Sequence, residues 1–177
     1  MFRESDNRMP TTTTSALTDE KINIGLSEEP RTAIVGSLNT LLADEFLLYT
    51  KTRNYHWNVR GPRFNDLHKF FESQYEQLDE IMDEVAENAR QFGGFATGTM
   101  AEYIAQSRLK EQRATVPEAE DMLRNLLSDH ETIIRALRPD IDTADEYDAA
   151  DASDFLTTIL EHHNKMAWML RAFLSGR

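Results

Sequence analysis

Five histidines, His56, His68, His130, His162 and His163, are the side chains of this 177-residue chain best suited to bind a transition metal beside carboxylates. Cysteine is absent, which excludes disulfides, thiolate catalysis and zinc–thiolate sites. Di-iron sites inside four-helix bundles draw on Glu-x-x-His pairs. The residues three before the five histidines are Arg53, Asn65, Leu127, Ile159 and Leu160, and none is acidic. That intra-bundle constellation is missing.

A different grouping emerges on one predicted helix. With about 100° of rotation per residue and His68 at zero, Glu72 falls near ~40°, Asp83 near ~60° and Glu87 near ~100°. Glu76 and Asp79 share that face. The apolar stripe of the same helix occupies another arc. One reading is a solvated acidic face. The other is a metal site, and His56 supports it, because His56 ends the preceding helix just before the Gly61-Pro62 corner and His68 opens the next. Imidazole with carboxylates suits iron, manganese or zinc. His68 and Asp83 are 15 residues apart, about 22 Å along a helix. They cannot hold one metal within one chain. Either the features are unrelated, or a two-fold axis brings His56, His68 and Glu72 of one chain to Asp83 and Glu87 of another.

The charge balance points the same way. Lys plus Arg total 19 and Asp plus Glu total 31, for a formal net charge of −12. Such a chain attracts cations and does not coat nucleic acid or anionic lipid through its general field. Asp142, Asp145, Asp148, Asp151 and Asp154 recur every third residue. They read either as acidic decoration of a helix start or as a cation path. No apolar run reaches the ~20 residues of a membrane span, and no apolar signal-peptide core opens the chain. A cytoplasmic location is the expectation.

The elements that would position these groups are helical. Residues 1–28 read as a flexible tail, polar and rich in Thr at 11–14, and acidic on balance. Residues 29–177 read as one four-helix bundle domain. The first helix starts at Ser27 as N-cap and runs to about Val59. The second runs from Pro62 or Phe64 to Phe92, with Leu67, Phe71, Tyr75, Leu78, Met82, Val85 and Ala89 as its stripe. A short helix falls within 97–108. The third starts after Thr115 and stops at Pro139, and the fourth spans Tyr147 to Leu174. The long 93–115 connection implies a crossover. His130 and His163 lie on apolar stripes and read as core or interface residues. His162 reads as a surface residue or a secondary metal site.

The run Tyr49-Thr50-Lys51 … Tyr55-His56-Trp57-Asn58-Val59-Arg60-Gly61-Pro62 … Leu67-His68 … Phe71-Glu72 closely resembles the Dps family, the DNA-binding proteins from starved cells or mini-ferritins. The stretches Asp83-x-x-Ala86-Glu87 … Phe92-Gly93-Gly94 and Trp168 to Leu174 continue the resemblance, which covers about residues 30–175. It implies an all-α, ferritin-like bundle assembling into a hollow homododecamer with ferroxidase centres at dimer interfaces. By position, His56, His68 and Glu72 would be ligands from one subunit and Asp83 and Glu87 from its partner. The family often has Asp at the Glu72 position, and Arg where this chain has Asn88.

The resemblance further implies ferrous iron as the metal, hydrogen peroxide as preferred oxidant over dioxygen, and ferric mineral in the cavity. Zinc or manganese would compete for the site. Asp145, Asp151 and Asp154 match a three-fold iron-entry pore. Trp57 beside His56 would pack the site or intercept a stray oxidising equivalent. The acidic tail and body argue against strong DNA binding at physiological salt. The rival reading is a helical scaffold whose acidic faces are only solvated.

Overall fold

The structure is a computed structural model, and it describes residues 17–18 and 21–175. Five helices follow in order: α1 Glu28–Asn58, α2 Phe64–Gln91, α3 Met100–Gln106, α4 Ala119–Glu146 and α5 Ala150–Leu174. Among the described residues the only bridge is an isolated one, between Leu17 and Gly94. Among the described residues no helix is long and apolar enough to cross a membrane.

The four long helices pack as two antiparallel hairpins, α1–α2 and α4–α5. Gly61 makes the first corner, and its φ of +106° is one that glycine adopts without steric cost. α1 and α4 run antiparallel, joined in register by Lys51 with Asp129, Tyr55 with Asn125 through its hydroxyl, and Ser37 with Asp140. The core comprises Leu38, Leu41 and Leu48 of α1, Phe71 and Leu78 of α2, Leu123, Leu126 and Ile133 of α4, and Ile159 and Leu170 of α5, all 2% exposed or less.

The crossover between the hairpins is held at Asp44. This carboxylate is fully buried and accepts from Ser107 Oγ at 2.9 Å, the Arg108 N–H at 2.7 Å and Arg108 Nε at 2.6 Å. α3 opens on a reciprocal cap between Thr99 and Glu102, as a Thr-x-x-Glu start allows.

Two boundaries differ from the sequence expectation. The third long helix does not stop at Pro139 but continues through it to Glu146. A proline inside a helix costs about 3 kcal/mol. Here packing outweighs that cost, because Ala144 is buried, Ile141 packs on the core, and Asp140 binds both Ser37 and Arg108. The last helix accordingly starts at Ala150 and not at Tyr147. Asp148 makes the turn with φ of +55°, a region that Asp tolerates better than most residues. Ser27 does precede α1 in extended conformation, but its side chain makes no capping bond. Of the segment read as a tail, residues 1–16, 19 and 20 lie outside the described residues. Leu17 is 7% exposed, and the Thr18 N–H donates to the Gly93 carbonyl at 2.7 Å.

Candidate metal centre

The corner between α1 and α2 brings His56 and His68 face to face, with ring centroids 3.8 Å apart and planes 20° from parallel. His56 Nδ1 lies 2.8 Å from the His68 carbonyl, and His68 Nδ1 lies 2.9 Å from the His56 carbonyl. A carbonyl oxygen only accepts, so each Nδ1 carries the proton it donates. In the neutral ring the lone pair then resides on Nε2, the nitrogen left available to a metal. The His56 carbonyl is one of the last four of α1, which have no acceptor role within the helix. The local fold and the imidazole tautomers are thus set together.

Glu72 lies one turn beyond His68 and is half-buried. Tyr75 donates to Glu72 Oε1 at 3.4 Å and meets the His56 ring edge-on at 5.2 Å. Burial, then the Glu72 carboxylate, push the Tyr75 phenol above its ordinary value. The Arg53 guanidinium lies 4.9 Å from the Tyr75 ring centre, 5.6 Å from Tyr49 and 5.7 Å from Trp57. Trp57 itself is 66% exposed. Phe64 stacks on the outer face of His68 at 5.1 Å.

Asp83 and Glu87 are exposed on the same helix, about four and five turns away from His68. They do not reach the histidine corner within one chain. Among the described residues, no three His, Asp or Glu side chains of this chain converge as metal ligands. A groove of about 620 Å³ opens beside the corner, lined in part by Trp57, Arg53, Tyr49, Phe46 and Met100.

The acidic ladder occupies the α4–α5 turn. Asp142 and Asp145 sit in the last turns of α4, Asp148 at the turn, and Asp151 and Asp154 in the first turns of α5, all exposed. The helix dipole favours Asp151 and Asp154 but disfavours Asp142, Asp145 and Glu146 at a C-terminal end. Helix decoration therefore accounts for only two of the five Asp residues of the ladder.

Two features escaped the sequence reading. Tyr75 does not belong to the buried stripe of α2; Gln74 takes that place at 2% exposure. The signal was present, since Tyr75 is seven residues after His68 and so shares its face. His130 and His163 are core residues as expected, but they are also bonded to each other and to Glu45.

The Ferritin family model, a ferritin-like domain, matches residues 35–176. The chain is 44% identical over 158 residues to an uncharacterized low temperature-induced protein of Nostoc sp., covering 89% of this chain and 88% of that one. It is 37% identical to DNA protection during starvation protein 2 of Bacillus anthracis, covering 80% and 97%. Among solved structures, DpsC from Streptomyces coelicolor superposes with a TM-score of 0.88 at 26% identity, covering 93% and 95%. The Dps protein from Bacillus brevis gives 0.80 at 32%, covering 84% and 99%. A Vibrio cholerae Dps, described as a member of a superfamily of ferritin-like diiron-carboxylate proteins, gives 0.82 at 26%, covering 92% and 99%. With the His56–His68 corner, the two hairpins and this extent of similarity, the chain belongs to the Dps family of ferritin-like proteins.

Proposed function

We propose that the protein is a ferroxidase and iron store, built as a homododecamer with iron sites shared between two-fold-related subunits. His56, His68 and Glu72 of one subunit and Asp83 and Glu87 of its partner form each site. The observation that carries this reading is the reciprocal imidazole pair. It leaves the Nε2 lone pair of each ring for a metal, and among the described residues the ligands of one chain, Glu72 included, do not converge into a site on their own.

Ferrous iron is the substrate. Neutral imidazoles hold Fe²⁺, and carboxylates stabilise Fe³⁺ more strongly, which favours electron loss. Two ferrous ions give one electron each to hydrogen peroxide, the preferred oxidant, and two protons complete two waters. Dioxygen is the slower oxidant. Zinc and manganese compete for the same donors. Asp145, Asp151 and Asp154 guide iron inward, which gives a role to acids that the α4 dipole disfavours. Trp57 packs the site from the groove side. The protein works in the cytoplasm. DNA binding is weak or absent at physiological salt, because each chain carries a net charge of −12 and releases few counterions from phosphate.

The test uses subunit complementation. His56→Ala and Asp83→Ala are made separately, then unfolded together, mixed and reassembled. Each variant alone oxidises iron at least tenfold more slowly with peroxide. The mixed shell regains a substantial part of the rate, because some interfaces carry both intact half-sites. Equal rates in the mixture and the parents sink the shared site, and wild-type rates in both variants sink the ligand assignment.

A further inference from the structure

The two hairpins are joined at the centre of the bundle by a polar chain with no exposure to water. Glu45 of α1, His130 of α4 and His163 of α5 are each 0% exposed. His163 Nε2 lies 2.7 Å from Glu45 Oε1, and the two Nδ1 atoms of His163 and His130 lie 2.9 Å apart. At the ends, Glu45 Oε2 and His130 Nε2 have no hydrogen-bond partner. Glu45 belongs to the first hairpin and both histidines to the second, so the chain is a latch between them.

We propose that this chain is an internal proton-sensitive latch, which holds the bundle core together at neutral pH and opens at its α4–α5 link when acid adds one further proton.

Proton bookkeeping carries the argument. A buried net charge is costly, so the unit rests at zero overall. Either Glu45 is ionised and His163 carries two N–H groups, or the proton sits on Glu45 and His163 is neutral. Both arrangements place a His163 Nδ1–H against the lone pair of His130 Nδ1. A further proton on His130 puts N–H against N–H. It breaks the 2.9 Å bond and adds an unpaired cation to a dry core. Burial, and then the neighbouring His163, hold the His130 imidazole well below its usual value, which agrees with this geometry.

The other groups at this level offer no counter-ion. On α1, Asp44 is engaged by Arg108 and Lys51 by Asp129. On α4, Asp129 binds Lys51, and Glu131 binds Arg171 of α5. α2 presents the neutral Gln74, brought to the same level by the Tyr49–Tyr75 contact and buried with both amide atoms unpartnered.

The sign follows from linkage. The unfolded chain takes up the proton below about pH 6.5 and the folded chain refuses it, so stability is full above that pH and falls as pH drops below it. One such group changes the folded-to-unfolded ratio about tenfold per pH unit.

The experiment compares the assembled full-length protein with His130→Leu between pH 7 and pH 5, by denaturant unfolding and by amide hydrogen exchange corrected for intrinsic rates. Expected is a steeper acid loss of stability in the wild type, by about tenfold per pH unit at the lower end. Exchange on the facing sides of α4 and α5 around His130 and His163 should accelerate in acid in the wild type and not in the variant. His130→Gln, polar but non-titrating, gives the same flattening and serves if the leucine variant does not assemble. Parallel pH curves for wild type and both variants overturn the proposal, as does acid exchange that rises uniformly along the chain.

Discussion

His56 and His68 each donate through Nδ1 to the backbone carbonyl of the other, at 2.8 and 2.9 Å. The pair ties the end of α1 to the start of α2 and leaves Nε2 of each ring as the nitrogen that carries the lone pair. His68→Ala removes one metal donor and the bond to the His56 carbonyl, while the residue 68 carbonyl still accepts from His56 Nδ1. The expected outcome is a fall of tenfold or more in the initial rate of ferrous oxidation, read by ferric absorbance, with about 1 kcal/mol of stability lost with the one hydrogen bond removed. A rate within twofold of wild type contradicts the assigned role.

Asp44 organises the crossover from inside the core. Asp44→Ala leaves the Arg108 guanidinium, of which Nη2 is already without a partner, with Asp140 alone, and frees the Ser107 hydroxyl. Losing one member of such a buried pair costs about 3–5 kcal/mol. Urea denaturation should show that loss, and limited proteolysis should cut first between residues 107 and 118.

Gly94 sits where a side chain has no room. A Cβ there would lie 2.3 Å from Val35 Cγ1 and 2.6 Å from Val35 Cγ2. Gly94→Ala is expected to cost about 1–3 kcal/mol by overpacking. Val35→Ala in the same chain should return part of it. If the double variant is as unstable as the sum of both singles, the clash is not the cause.

The acidic turn can be tested without disturbing the core. Asp145, Asp151 and Asp154 are all exposed. Replacing the three with Asn leaves the melting temperature unchanged or slightly raised, because like charges at one turn repel. Ferric core formation at limiting iron should slow several-fold, with the effect fading at high salt as screening shortens the field. Uptake equal to wild type removes these residues from the iron path.

Much of the fold was legible because long amphipathic stripes state their own period. His130 and His163 each stand on such a stripe, which marks them as inward-facing, whereas Glu45 is not singled out. That they meet was not legible, since it depends on how three helices far apart in sequence are registered. Pro139 shows the opposite case. A local rule ended the helix there, and long-range packing of Ala144 and Asp140 overrode it. Tyr75 was misplaced by hydrophobicity alone: its ring suits a core, but its angular position puts it beside His56.

The sequence by itself determined an all-helical bundle, the absence of a Glu-x-x-His iron site, and the placing of His56 and His68 at the Gly61 corner. These follow from local periodicity and from the helix break that Gly61-Pro62 imposes. The tertiary structure decided which nitrogens are free, which acids are exposed, and that Glu45, His163 and His130 form one buried chain. Those are properties of distances between helices, and a linear pattern carries no such distances.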